Sequence, residues 1–596
     1  MSYQLNLGSM RSPGAATSVK KSGRFRIAVL GDFSGRTNIG QLETGTELSS
    51  RKPMRVDCDN LDDQLKRLKV RLRLPVGPAG TIVEVPVNSL DDLHPDQLYK
   101  NLPIFSELAG LRQRLKTPST FAKAAQEIQT WAGAESWMPV RTKSRSVVIP
   151  VDSKISDFAR LIGEPTASTS ASTISQLLKQ VVGPYVVPAK DPRQDHLVAT
   201  VDSGLAAAMR SVLHNPDFQA FEALWRSVDL MVRRLETDET LQIVLYDITA
   251  EEFAADLSRA DSLENSGLYK LLVEQPALDA AQGAFSVVIG NYQFDQTPPH
   301  AELLGRAARV VAQTQTAFIA SLATHCLDTK PTDLHPLIRE AWDGLARLPE
   351  SSYLGLALPR FMLRNPYGDN TDPIESFDFE EFNPQTGLSG MLWGNPAIIA
   401  GFLLGSAFLK QGAKMQLGEV LSVGDMPFYY YTDKDGDQTA LPCTERMLTS
   451  KAAEAALSQR FMPLLSIKGQ PQLRLGGFRS LAGGGLAGPW APIAASKIEA
   501  AQPSEPRPRT APPASGGRVS QPSASTEPPC QAEDKKVSGE SAPKSESDLD
   551  ALLASLNDET ATAKPSEPAA SNSAEVAPDE EPTIDPELAK LLAELG

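Results

Sequence analysis

Three short apolar runs, Leu241–Tyr246, Phe285–Ile289 and Tyr353–Leu358, are rich in β-branched and large residues, and polar residues hardly interrupt them. Runs of this length and makeup suit strands buried on both faces. Between and beyond them, helical spacing of apolar residues marks Ala250–Ala260, Leu303–Ala323 and Leu337–Leu345. Strands separated by helices imply βαβ units and a largely parallel or mixed sheet, an α/β (α+β) chain. Upstream, Val201–Val232 carries Met209, Leu213, Phe221, Leu224, Trp225 and Val228 at helical spacing and is broken at Asn215-Pro216, where proline favours a new helix start. Pro427–Thr432 and Phe461–Ile467 read as further strand.

Composition divides the 596 residues into five parts. Residues 1–22 form a polar tail expected to be loose. Residues 23–133 alternate strand-like and helix-like patterns as a small domain. Residues 134–193 hold a Ser/Thr/Ala cluster at Thr166–Thr173 and read as a linker with one short helix near Ser175–Val182. Residues 194–490 make the larger folded region. From 491 to 596 the chain turns to Pro, Ser, Ala, Glu and Lys, too poor in large apolar side chains to offset the entropy of ordering, and is expected to be disordered. The net charge of −15 is concentrated there, since Gln531–Gly596 has sixteen acidic residues against five lysines. No basic stripe with interleaved aromatics supports nucleic-acid binding. The N-terminus lacks the apolar run of a secretory signal. The richest apolar stretch, Pro396–Leu409, is interrupted by glycines and falls short of the roughly 20 residues that span a bilayer, so the expectation is a cytoplasmic protein without membrane insertion. Cys58, Cys326, Cys443 and Cys530 are scattered, which argues against disulfides and zinc.

Motifs of common enzymes are missing: GxxxxGK[ST], HExxH, GxSxG and a strand-borne GxGxxG do not occur. His94, His196, His214, His300, His325 and His335 lack metal-ligand spacing. Asp433-Lys434-Asp435-Gly436-Asp437 alternates carboxylates as a calcium loop does, but Gln438 and Thr444 stand where that loop needs Gly and Glu, and the plainer reading is a polar hairpin turn. Asp32 and Ser34, in Leu30-Gly31-Asp32-Phe33-Ser34-Gly35-Arg36, have two readings. One is a site at a strand end, where α/β ligands bind. The other is a tight turn with Asp32 bonding local backbone N–H groups. No catalytic, metal or cofactor residue is assigned, and the expectation is a protein that is not an enzyme.

That segment, from Phe25 through Arg36, resembles the opening strand and turn of the small sheath subunit (TssB/VipA-like) of type VI secretion systems. The likeness continues in order through Val56–Asp62 and through Asn88-Ser89-Leu90-Asp91-Asp92-Leu93-His94-Pro95-Asp96, then along a helix to about Trp131. The larger region resembles the large sheath subunit (TssC/VipB-like). Leu213-His214-Asn215-Pro216-Asp217-Phe218, with Trp225 and Arg226, resembles its helix-pair signature. Ile289–Phe294 fits its next strand and turn. Leu358-Pro359-Arg360-Phe361, Arg364, Pro366-Tyr367-Gly368, Asp372-Pro373, Glu375 and Phe377 form the most specific block, and Trp393-Gly394-Asn395 completes it. Arg360 and Arg364 have Asp369, Asp372, Glu375 and Asp378 near them in sequence as partners for an ion-pair web, with a ligand pocket as the competing reading.

The resemblance implies a mechanical function. Such subunits pair, stack into a hollow helical sheath around an inner tube, contract, and are recycled by an AAA+ ATPase. The implied partners are sheath subunits and further copies of the chain, with the inner tube, baseplate and ATPase beyond them. No cofactor is implied. The likeness fades near Trp490, so a counterpart to the large subunit's C-terminal part is not expected, and an accessory role such as an initiator, terminus or adaptor is an alternative to building the sheath itself. In the tail, Asp548–Leu556 with Leu549, Leu552, Leu553 and Leu556, and Pro586–Leu595 with Leu588, Leu591, Leu592 and Leu595, have amphipathic spacing. They read either as partner-docking helices or as accidental Leu/Ala-rich sequence.

Overall fold

The computed structural model describes residues 5–10, 23–76, 80–131, 194–279, 281–330, 332–384, 387–432, 436–467 and 469–490. The expected linker helix, Asp433–Asp435, Cys530 and both leucine-rich tail segments lie outside the described residues.

The N-terminal part supplies strand β1 (Phe25–Gly31), strand β2 (Met54–Val56), helix α1 (Leu61–Leu68) and the hairpin of β3 (Val70–Val76) and β4 (Thr81–Val87). Helices α2 (Pro95–Asn101), α3 (Pro103–Lys116) and α4 (Pro118–Gln129) follow. Each of these three opens on a proline, whose fixed φ suits the first helical position and whose missing N–H would have no partner there. In β3, Val70, Leu72, Leu74 and Val76 turn inward while Arg71 and Arg73 turn out, so the hairpin is covered on one face only.

Then come α5 (Gln194–Leu213), α6 (Pro216–Arg234), β5 (Leu241–Asp247), α7 (Ala250–Arg259), β6 (Val287–Phe294), α8 (Pro298–Ala312), β7 (Ala317–Leu322), α9 (Pro336–Ala346) and β8 (Leu354–Leu358). A two-stranded pair, β9 (Phe361–Met362) and β10 (Trp393–Gly394), precedes α10 (Pro396–Gln411). The described chain ends with β11 (Ser422–Val423), the hairpin β12 (Tyr429–Thr432) and β13 (Gln438–Leu441), α11 (Ser450–Ser458), β14 (Met462–Ser466) and β15 (Leu473–Leu475).

The main sheet has nine strands in the order β11-β15-β14-β8-β7-β6-β1-β5-β2. From β14 to β5 neighbours run parallel, and the outer strands are antiparallel. Strand β1 lies between β5 and β6, with Val29 in register with Leu245 on one side and Ile289 on the other. The small-domain region and the larger region therefore share one sheet within one chain. All seven residues of β1 are buried. Ile27 and Val29 enter a core with α3, α5, α6 and α10, while Ala28 and Leu30 enter the opposite core with α7, α8 and α9.

Together with the helical turn that follows it, α10 makes a span, Pro396–Lys414, of a length and apolar composition that could cross a membrane, but 67% of its apolar window is buried inside the protein, where α10 packs on β6, β7 and β8. Gly401 permits the approach: a Cβ there would lie 2.3 Å from Ile289 Cδ1.

Two sequence expectations change. Leu303–Ala323 is not one helix, because α8 stops at Ala312 and β7 begins at Ala317. Gln315, at φ 55°, makes the break, and a fully buried strand shows no polar alternation to reveal its period. Residues 5–10 of the supposedly loose tail are packed against α8 and α9.

Candidate functional site

Most of the motif residues converge on the seam between the N-terminal part and the larger region. At the end of β1 the chain turns through Asp32–Arg36, with Gly31 and Gly35 in the turn. The Asp32 carboxylate accepts hydrogen bonds from the backbone N–H of Arg36 (2.6 Å) and Thr37 (2.9 Å). Ser34 donates its N–H (3.1 Å) and hydroxyl (2.6 Å) to Asp247 at the end of β5. Trp225 of α6 donates its indole N–H to the Phe33 carbonyl at 3.1 Å and meets the Phe33 ring edge-on. Burial, then the neighbouring Asp247, pushes the Asp32 carboxyl up to about 6.

Arg36 and Arg51 converge on Glu252, which is fully buried, and on Glu43, at 3.0 and 2.9 Å respectively. Glu252 also closes a capping box with Thr249 at the start of α7, so one carboxylate caps a helix of the large region and holds two arginines of the small one. A cavity of about 60 Å³ beside this turn is lined by Asp32, Asn38, Asp217, Leu224, Glu251 and Asn291. It lies at strand ends, where α/β folds place ligands. A larger open cleft of about 310 Å³, at Arg339, Trp342 and Phe461, gathers none of the motif residues.

An ionic cluster lies within the larger region, beside the seam. Arg364 is clamped between Glu222 of α6 (2.8 Å) and Glu381 (2.7 Å), and Arg226 donates to Glu222 (2.7 Å) and to the Tyr367 hydroxyl (2.9 Å). The Arg364 guanidinium stacks over the Tyr367 ring at 4.1 Å. His214 Nε2 lies 3.4 Å from Glu381, whose other oxygen accepts the Tyr367 N–H at 2.9 Å. Two carboxylates thus meet two guanidiniums. Burial pushes the Glu381 carboxyl up, but Arg364 and His214 outweigh it and hold the group at about 2. Glu222 is held below the usual range in the same way, burial being overcome by Arg364 and Arg226.

The loop after β9 then reaches the N-terminal part. Asp96, in α2, accepts the backbone N–H groups of Glu375 (3.1 Å) and Ser376 (3.0 Å) and the Ser376 hydroxyl (2.6 Å). The His94 ring stands edge-on to Tyr367 at 5.0 Å and its Nε2 lies 3.9 Å from Asp372, while Phe377 packs on Tyr99. Pro95 opens α2, and Asp92 accepts the N–H groups of Asn88 and Ser89 in the turn before it. Asp91 and Pro373 are exposed, and Gly368 packs against Glu380.

Other motif residues sit off this seam. Leu358 and Phe361 are buried around Pro359 at the end of β8, Pro216 opens α6, and Phe218 is buried in it. Trp393 and Gly394 pair with Met362 and Phe361, and Asn395 caps α10 through Ala397 N–H at 2.9 Å. Pro366 accepts the Thr371 hydroxyl through its carbonyl.

The expected partners of the two arginines are corrected. Arg360 pairs with Glu445 (2.6 Å), and Arg364 with Glu222 and Glu381. Asp369, Asp372, Glu375 and Asp378 are all exposed, because the loop turns its buried side through Tyr367, Phe377, Phe379 and Glu381. Sequence reasoning also missed Glu252, whose signal was available as Thr249-x-x-Glu252, and Glu222, which interrupts the apolar face between Phe218 and Trp225.

Comparison with known proteins fits this division of the chain. Residues 16–130 match the family described as type VI secretion system, VipA, VC_A0107 or Hcp2, and residues 195–482 match EvpB/VC_A0108, tail sheath N-terminal domain. The type VI secretion system sheath protein TssC1 of Pseudomonas aeruginosa is 30% identical over 291 residues, 46% of this chain. The chain spans 58% of the length of that relative.

Proposed function

From a chain that is a fused relative of the small and large type VI secretion sheath subunits, we infer a structural role: it assembles with or onto the contractile sheath and turns over no substrate. The observation that carries this is β1 seated between β5 and β6 in one sheet, a small-subunit strand completing the large-subunit fold. Fusion holds the two parts at one-to-one ratio and high effective concentration. The polar groups at the strand ends support the same reading, since Ser34 bonds Asp247 and both Arg36 and Arg51 bond Glu252 across the seam, while Asp32 holds the turn that presents them.

The partners follow from assembly. They are sheath subunits and other copies of the chain, in the cytoplasm, with the inner tube, a baseplate and a recycling AAA+ ATPase as further contacts. Contraction in such an assembly needs two packings of the same interfaces, not a reacting site. A remote second reading, a phosphate- or nucleotide-handling enzyme, has no phosphate loop in the sequence to support it.

Electron microscopy with light scattering on the purified chain, alone and mixed with sheath subunits from the same organism, tests the role. Rings, tubes or incorporation into a sheath is the expected result. A persistent monomer that joins no sheath overturns it.

A further inference from the structure

Residues 5–10 precede the region matched by either sheath family, yet they are seated on the larger region as a peptide in a groove. The groove is formed by α8, α9 and the turn at 261–263. Arg306 Nε donates to the Asn6 carbonyl at 2.9 Å, and Arg309 Nη1 donates to the carbonyls of Leu7 (3.1 Å) and Gly8 (2.6 Å). Ser9 N–H donates to the Asp261 carbonyl (2.8 Å), and Leu263 N–H to the Ser9 carbonyl (3.0 Å). These bonds read the main chain, independent of side-chain identity.

Side-chain selection comes from two missing Cβ atoms on the helices. Leu7 lies over Gly305, where a Cβ would come within 2.5 Å of Leu7 Cδ2, and Leu5 lies over Gly344, where the distance would be 2.9 Å. Gly8 itself has φ +67° with Leu263 close by, which demands glycine. With the segment seated the Arg306 side chain is buried, and its Nη1 is held from the protein side by the Leu257 carbonyl (2.7 Å) at the end of α7. The occupant is less sealed. Asn6 and Ser9 are exposed, and Leu5 and Leu7 are only half-buried.

We propose that the groove between α8 and α9 is a binding site for a Leu-x-Leu-Gly peptide, and that residues 5–10 are its detachable occupant, a latch that withholds the site from other peptides. The proposal stands independently of the sheath role. It places a recognition surface for a short linear segment on the face of the sheet opposite α10.

Two measurements test it. The first uses hydrogen exchange on the unaltered full chain. A latch opens locally, so the Ser9 amide is expected to exchange at least a hundredfold faster than amides of β1. Exchange of Ser9 at the rate of β1 would overturn the proposal. The second uses the full chain carrying Leu5→Asp and Leu7→Asp, with a fluorescein-labelled synthetic peptide of residues 2–12 as the probe. The variant is expected to bind the peptide saturably and at least tenfold more tightly than the unaltered chain, whose own segment competes at an effective concentration of order 1 mM. Adding Gly305→Leu is expected to weaken that binding at least tenfold. A variant with an unaltered circular dichroism spectrum that fails to bind the peptide would overturn the proposal.

Discussion

At the scale of single residues, the seam is governed by which charges are buried and with whom. Glu381 is ionised in the fold well below its ordinary 4.5, at about 2, so its contribution to stability is complete above pH 4.5 and is lost as pH falls toward 2. The shift corresponds to about 3 kcal/mol. Glu381→Gln should therefore destabilise the protein by about 3–5 kcal/mol at pH 7, since it also leaves Arg364 short of a counter-charge. Urea unfolding at several pH values checks this, with the gap to the unaltered protein narrowing from pH 5 down to pH 2. Asp32 behaves in the opposite sense. Its carboxyl is raised to about 6, so its contribution is complete below pH 3.8 and is lost as pH rises through 6. Asp32→Asn removes the buried charge but also one acceptor of a backbone N–H, so its melting temperature relative to the unaltered protein should improve by a few degrees between pH 3.5 and pH 7.5, at roughly 2–4 °C per kcal/mol. Of these partnerships little was legible in the sequence. The pairing of Arg364 with Glu222 spans 142 positions, and the acids close in sequence proved to face solvent. The Asp32 turn was legible as one of two readings because its bonds are local.

At the scale of elements, the strands buried on both faces announced themselves as unbroken apolar runs, and β5, β6, β8 and β14 lie where those runs are. The same property hid β7, whose six buried residues merge with the apolar face of α8 until Gln315 breaks the chain direction. The helix pair α5 and α6 was legible because Asn215-Pro216 is both a cap and a proline start, with Asn215 accepting the Asp217 N–H at 3.0 Å. The glycines and the length of helix α10 read as falling short of a membrane span, and Gly401 lays it on the sheet as a core helix. Gly401→Ala should cost about 1–3 kcal/mol by overpacking against Ile289, and Ile289→Val in the same chain should restore part of it. A double-mutant cycle in denaturant unfolding reads this coupling directly.

At the scale of the whole molecule, the two resemblances legible in the sequence did not reveal how their regions meet, because strand order is not a property of sequence order. The structure places the first strand of the small region in the middle of the large region's sheet, closes the seam with the Glu252 cluster, and clasps α2 with the loop after β9. Joined in this way, the parts make one folding unit from two sheath-type pieces. Splitting the chain between residues 133 and 194 and coexpressing the pieces 1–133 and 194–490, with a tag on only one, tests this most directly. Both pieces are expected to elute together at one-to-one ratio, and the 194–490 piece made alone is expected to be insoluble or poorly folded for want of β1. Two pieces that fold separately and elute apart would contradict the single folding unit.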